Sequence, residues 1–192
     1  SLHDALPILL VAISAVSIKR ISDIRDYGKL INYVGIVRGA SQRVVKLETN
    51  GRPDDELIGY VDDILDELVT GHGIYGLVST DCKLYQMNLK LLKGQWDAVR
   101  KEIDAVRQGE SADFLIDSSE RLFEIANNTV FTIEQYSSDM AGKTVRMISA
   151  TALVSAIAFA FAMYFYIRKF FQLKDTNEKL EDLASRDELT GA

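Results

Sequence analysis

The chain has 192 residues, 47% hydrophobic and 26% charged, with a formal net charge of -6. A surface that grips nucleic acid needs a basic excess or a dense basic stripe; the net charge argues against the first and no such stripe is visible in the sequence. A single cysteine, Cys82, rules out an internal disulfide and a thiolate metal site assembled within one chain, leaving a free thiol or a bridge between two copies.

Mean hydropathy is near zero because two different solvents are being averaged. Prolines are almost absent and apolar residues recur three and four apart, so an all-α chain is predicted, with no strand pattern of useful length.

Both ends read as cut. The opening SLHDALPI resembles translated sequencing adapter more than protein, so His3 and Pro7 are set aside. Ile8 to Ile18 is apolar but shorter than the roughly 20 residues that cross a bilayer. Lys19 and Arg20 then lead straight into helical pattern, so residues 1–18 are expected to be a truncated first transmembrane helix in preference to a signal-peptide core.

Residues 19–146 are the expected extracytoplasmic segment. From Ile21 to Thr49 the sequence repeats in sevens, with Ile24, Ile31, Arg38 and Val45 in one column and Tyr27, Val34 and Ser41 in the other. This places Arg38 inside a packing seam, where a guanidinium is costly unless an anion or carboxylate meets it. The alternative is an arginine whose stem covers apolar surface while its head reaches water. Gly35, one turn earlier on the same side, costs about 1 kcal/mol against alanine in mid-helix. Close approach of another backbone or a ligand explains it better.

Asn32, Gly35, Arg38, Ser41, Gln42 and Arg43, in NYVGIVRGASQR, resemble the first-helix signature of the extracytoplasmic sensor bundles of nitrate and nitrite sensor kinases and of type IV pilus chemotaxis transducers. The resemblance implies a four-helix bundle that dimerises through its first helix, with these six residues forming the ligand-binding site. In the nitrate sensors the arginine matching Arg38 comes from both subunits and holds the anion across the twofold axis. Two facing guanidinium forks suit a small oxyanion and repel each other without one. Val37 and Gly39 depart from the nitrate-sensor pattern, so the implied ligand is an oxyanion of unspecified identity.

Gly51, Arg52 and Pro53 are expected to end this helix, with Pro53 in the first turn of the next. Leu57, Val61, Ile64 and Leu68 give the second helix its apolar face, and Asp62, Asp63, Asp66 and Glu67 are read as a solvated face rather than a cation site. Gly71 to Gly76 mark a loop, in which His72 is read as exposed. A third helix is predicted from Ser79–Asp81 to about Gln108, seamed by Tyr85, Leu89, Leu92, Trp96, Val99, Ile103 and Val106.

Glu110, Ser111 and Asp113 open the fourth helix, whose seam of Leu122, Ala126, Thr129, Ile133, Tyr136, Met140 and Met147 runs unbroken into an apolar span. Asn127 and Asn128 are read as interior-facing or as surface amides. Met147 to Ile167 holds no charged side chain and matches the roughly 30 Å of a bilayer core at about 1.5 Å per residue. Arg168, Lys169 and Lys174 follow, which by the positive-inside rule puts the carboxyl end in the cytoplasm of a bacterial cell. One continuous helix from bundle to span would carry a piston, rotation or tilt.

Residues 168–186 carry heptad-spaced Leu173, Leu180, Thr176 and Leu183, expected as a short parallel signalling coiled coil. In residues 187–192, Asp187, Leu189, Thr190 and Gly191 resemble the opening of the GGDEF domain of diguanylate cyclases, although Ala192 stands where leucine is usual. That resemblance implies a cyclase using GTP and Mg beyond these residues; the chain itself shows no acid pair, nucleophile and base, or metal cluster, so no catalytic residue, metal ligand or cofactor is expected in it. The expected partners are the lipid bilayer, a second copy of the chain and a small extracytoplasmic ligand. Rival readings are a ligand-free anchoring and dimerisation module, and the sensor half of a chemotaxis transducer or histidine kinase.

Overall fold

The structure is a computed structural model that describes the backbone of residues 2–190 and the side chains of residues 11–180. It is all-α: α1 (Leu2–Thr49), α2 (Asp55–Thr70), α3 (Lys83–Arg107) and α4 (Asp113–Thr190), with no strand among the described residues. Sequence readings at His3, Pro7, Ile8 to Leu10, Leu183, Asp187, Leu189, Thr190, Gly191 and Ala192 lie outside the described side chains.

Helix ends follow local chemistry. Gly51 closes α1 with a φ of 67°, and the N–H groups of Gly51 and Arg52 reach the carbonyls of Glu48 and Leu47, both at 2.9 Å. Pro53 does not enter α2 as predicted. Asp54 caps that helix instead, its Oδ1 accepting from Leu57 N–H at 3.0 Å, because an aspartate can satisfy an orphan amide that a proline ring cannot. Nor does α3 start at Ser79–Asp81. Thr80 is buried and its hydroxyl accepts from Cys82 N–H at 3.2 Å, which holds a turn ahead of the helix.

The chain divides into two compact units. In the unit Ser14–Thr144, every helix contributes to one buried core. The predicted seams of α3 and α4 hold over most of their length: Tyr85, Leu89, Leu92, Trp96, Val99 and Ile103 on α3, and Leu122, Ala126, Thr129 and Ile133 on α4, are buried, while Val106, Tyr136, Met140 and Met147 at their carboxyl ends are only half-buried. Leu115 and Ser119 extend the α4 line towards its start.

Two expectations need correction. On α1 the buried line is Tyr27, Leu30, Val34, Val37, Ser41, Val44 and Glu48, so the column of Ile24, Ile31 and Arg38 is a half-buried flank and only Val45 of it is buried. On α2 the acids are not a uniformly solvated face. Glu67 is 2% exposed, and Asp62 accepts from the Trp96 indole N–H and from Arg100 Nη1, both at 2.7 Å.

The other unit consists of the chain's two ends, residues up to Ile13 and from Val145. Here α4 is long and apolar enough to cross a membrane by length and composition. Leu153, Ile157, Phe159, Phe161 and Phe165 stand exposed around it, Phe159 by 69%, a surface suited to an apolar surrounding rather than to water. Thr151 and Ser155 return their hydroxyls to carbonyls four residues earlier at 2.8 Å, which spares that surrounding two unpaired donors.

Candidate ligand-binding site on the first helix

Between Gly28 and Gly39 a Cβ added to any of Gly28, Gly35 or Gly39 would meet nothing within 4 Å. Packing inside the chain therefore does not explain these glycines. Arg38 projects from the same flank as Gly35 and is half-buried. Its Nη1 donates to Asn127 Oδ1 on α4 at 2.5 Å, and its guanidinium carbon lies 5.6 Å from the centroid of the Phe123 ring. Both partners are electrically neutral. The amide accepts one N–H and the ring face attracts the cation, yet neither cancels its charge.

The six sequence-derived site residues do not all converge. Gln42, one turn beyond Arg38, donates from Nε2 to the Ser119 carbonyl at 3.1 Å, so Arg38 and Gln42 both reach α4, whereas the space over Gly35 is open. Ser41 is buried in the core, its hydroxyl returned to the Arg38 carbonyl at 3.0 Å. Asn32 and Arg43 are exposed. They lie eleven positions apart, about three turns, on the outer side of α1, away from the Arg38 flank. Sequence reasoning missed Phe123 and Ser119. The signal was present in their spacing: Ser119, Phe123 and Asn127 fall four apart, a stripe of α4 that leaves the buried seam at Ser119 and runs along its edge.

A second polar centre is structural. The buried Glu67 carboxylate accepts from the N–H groups of Leu77 at 2.7 Å and Tyr75 at 2.8 Å, and Lys29 Nζ donates to the carbonyls of Tyr75 and Gly76 at 3.2 and 3.3 Å. Burial by itself would raise the Glu67 pKa, but the amides of Leu77, Tyr75 and Gly76, helped by Lys29, hold it below the usual carboxylate value. Gly73 packs directly on this carboxylate, so any side chain there would displace it. Tyr75 also packs against Tyr33 and Tyr60, with ring centroids 5.3 and 6.1 Å apart. The loop between α2 and α3 is thereby fastened to α1 and α2.

A cavity of about 270 Å³ between α2 and α3 is lined by Asp55, Gly59, Asp62, Arg100, Asp104 and Arg107. Its arginines are already matched. Arg107 grips Glu48 through Nε at 3.0 Å and Nη2 at 2.6 Å and also reaches Asp55 at 2.7 Å, while Arg100 pairs with Asp62. Hydrogen bonds to Glu48 and Asp55 raise the Arg107 pKa above its ordinary value. Arg38 differs from both in that its hydrogen-bond partner and its ring contact are neutral, with no ion pair to it among the described residues. Comparison with family models and with curated proteins finds no match to this chain.

Proposed function

We propose that the chain is the membrane signal-sensing and transmitting module of a diguanylate cyclase: a four-helix bundle outside the cytoplasm, flanked by two transmembrane helices and followed by a signalling helix. The bundle binds a small oxyanion at Arg38, beside a second copy of the chain, and passes the change on through the span at residues 147–167. The observation that carries this reading is a half-buried guanidinium with no acidic partner among the described residues, close to Gly35, over which there is room for another backbone. An unmatched charge in that position attracts an anion, and a neighbouring copy supplies a second fork.

The exposed apolar surface of the span and the basic residues Arg168, Lys169 and Lys174 after it support the membrane placement and its direction. Leu173 and Leu180 are exposed along α4, as a helix awaiting a parallel partner requires. The link to a diguanylate cyclase, with its GTP and Mg, rests on the resemblance at Asp187, Leu189, Thr190 and Gly191. A ligand-free tether is the competing reading. The two separate in a thermal-shift screen of the full chain in lipid nanodiscs against nitrate, nitrite, acetate and phosphate. The receptor reading expects one of these anions to raise the melting temperature of wild type and not of Arg38→Ala. Stabilisation that persists in the variant, or no stabilisation by any of the four, removes the site.

A further inference from the structure

Arg107 and Arg38 use different sides of the guanidinium. Arg107 holds Glu48 through the edge formed by Nε and Nη2, at 3.0 and 2.6 Å, the two-pronged grip that suits a carboxylate. Arg38 makes its hydrogen bond from Nη1, to Asn127 Oδ1 at 2.5 Å, and its Nε and Nη2 have no partner among the described residues. Neither nitrogen is sealed in, because among those residues the Tyr85 hydroxyl is the one buried side-chain polar atom without a hydrogen bond. The edge that Arg107 closes on an acid is therefore open and accessible in Arg38.

A guanidinium is rigid and planar, so holding one nitrogen and one face sets the direction of the remaining edge. The Asn127 oxygen ties Nη1 to α4, and the Phe123 ring, its centroid 5.6 Å from the guanidinium carbon, covers a face. We propose that Asn127, assisted by Phe123, is a positioning residue that presents the Nε–Nη2 edge of Arg38 to a planar oxyanion such as a carboxylate or nitrate. This rests on the reading of Arg38 as an anion site. An asparagine suits the task because its oxygen fixes the fork and leaves the positive charge for the ligand, whereas an aspartate would cancel it. A fork fixed beforehand spares the ligand part of the cost of ordering it.

The test measures dissociation constants of nitrate, acetate and chloride for the full chain in nanodiscs, in wild type, Asn127→Leu, Phe123→Leu and Arg38→Ala. Chloride is a sphere that needs no fork, so it reports the charge alone. Asn127→Leu keeps the side chain's size without its acceptor, and is expected to bind nitrate and acetate about tenfold more weakly with chloride as in wild type. Phe123→Leu is expected to weaken the same two anions about threefold. A residue that only supports the fold moves all three anions together or none. If Asn127→Leu binds nitrate and acetate as wild type does, or loses chloride in the same proportion, while Arg38→Ala binds neither planar anion, the positioning role is overturned and the anion site stands. If Arg38→Ala binds the planar anions as wild type does, or wild type binds neither, both ideas fail. Should Asn127→Leu not fold, Phe123→Leu decides, and planar-anion binding as tight as wild type overturns the proposal.

Discussion

Replacing Glu67 by glutamine tests whether one buried carboxylate organises the loop between α2 and α3. The side chain is 2% exposed and accepts from two backbone amides at 2.7 and 2.8 Å. Glutamine keeps one acceptor oxygen but turns an NH2 towards the other amide, so one charge-assisted hydrogen bond, about 1.5–3 kcal/mol, is lost. For a unit of this length 1 kcal/mol moves the unfolding midpoint by roughly 4 °C, which gives an expected fall of about 6–12 °C. Trp96, the chain's one tryptophan, is buried in the core of the unit Ser14–Thr144, so its fluorescence follows that unit during melting.

The effect should also depend on pH with a definite sign. The folded pKa of Glu67 is depressed below the ordinary 4.5. Its contribution is therefore fully present above about 4.5 and fades as pH falls through the lower folded value, where wild type and variant converge. Hydrogen exchange at the Tyr75 and Leu77 amides should accelerate in the variant at neutral pH. A Glu67→Gln chain that melts within about 2 °C of wild type at pH 7, or a difference that persists unchanged at pH 3, would refute this account of the loop.

Arg107→Ala should cost about 3–5 kcal/mol because it strands Glu48, whose side chain is 2% exposed, and adding Glu48→Gln should recover part of the loss in urea denaturation followed by Trp96. Tyr85→Phe should leave stability unchanged or raise it by up to ~1 kcal/mol, since the Tyr85 hydroxyl is buried without a hydrogen-bond partner among the described residues; a clear loss in the same assay would mean that the hydroxyl is satisfied.

The helical character and two of the seams were legible in the sequence for a simple reason. On α3 and α4 the longest line of residues spaced four and three apart is almost wholly apolar, and it is the line that packs, while shorter ones such as Leu84, Met87 and Leu91 stay exposed. On α1 apolar residues lie on both sides of Tyr27, Val34 and Ser41: Leu30, Val37 and Val44 on one, Ile24, Ile31 and Val45 on the other. Periodicity does not say which side meets the chain's own core. The structure takes the first, leaving Arg38 on the flank. Glu67 was unreadable because its partners are loop amides, and backbone donors leave no trace in residue spacing. Asp62 likewise depends on an indole that arrives from another helix, 34 positions away. Of the candidate site, the arginine and the glycine beside it were visible from cost alone, as a charge and a helix-weakening residue in a seam. Their α4 neighbours needed the pairing of two helices that lie 89 positions apart at Arg38 and Asn127.

The most direct test of the receptor account is whether Gly35 faces its counterpart in a second copy. A cysteine fits there, since a Cβ meets nothing within 4 Å, and the native thiol is removed by Cys82→Ser. Disulfides form only when two Cα atoms approach within about 7 Å. In membranes, Gly35→Cys should cross-link efficiently on mild oxidation, whereas Leu91→Cys, at an exposed position of α3, should not. Cross-linking at position 91 with none at position 35 would contradict a ligand site shared across the first helix.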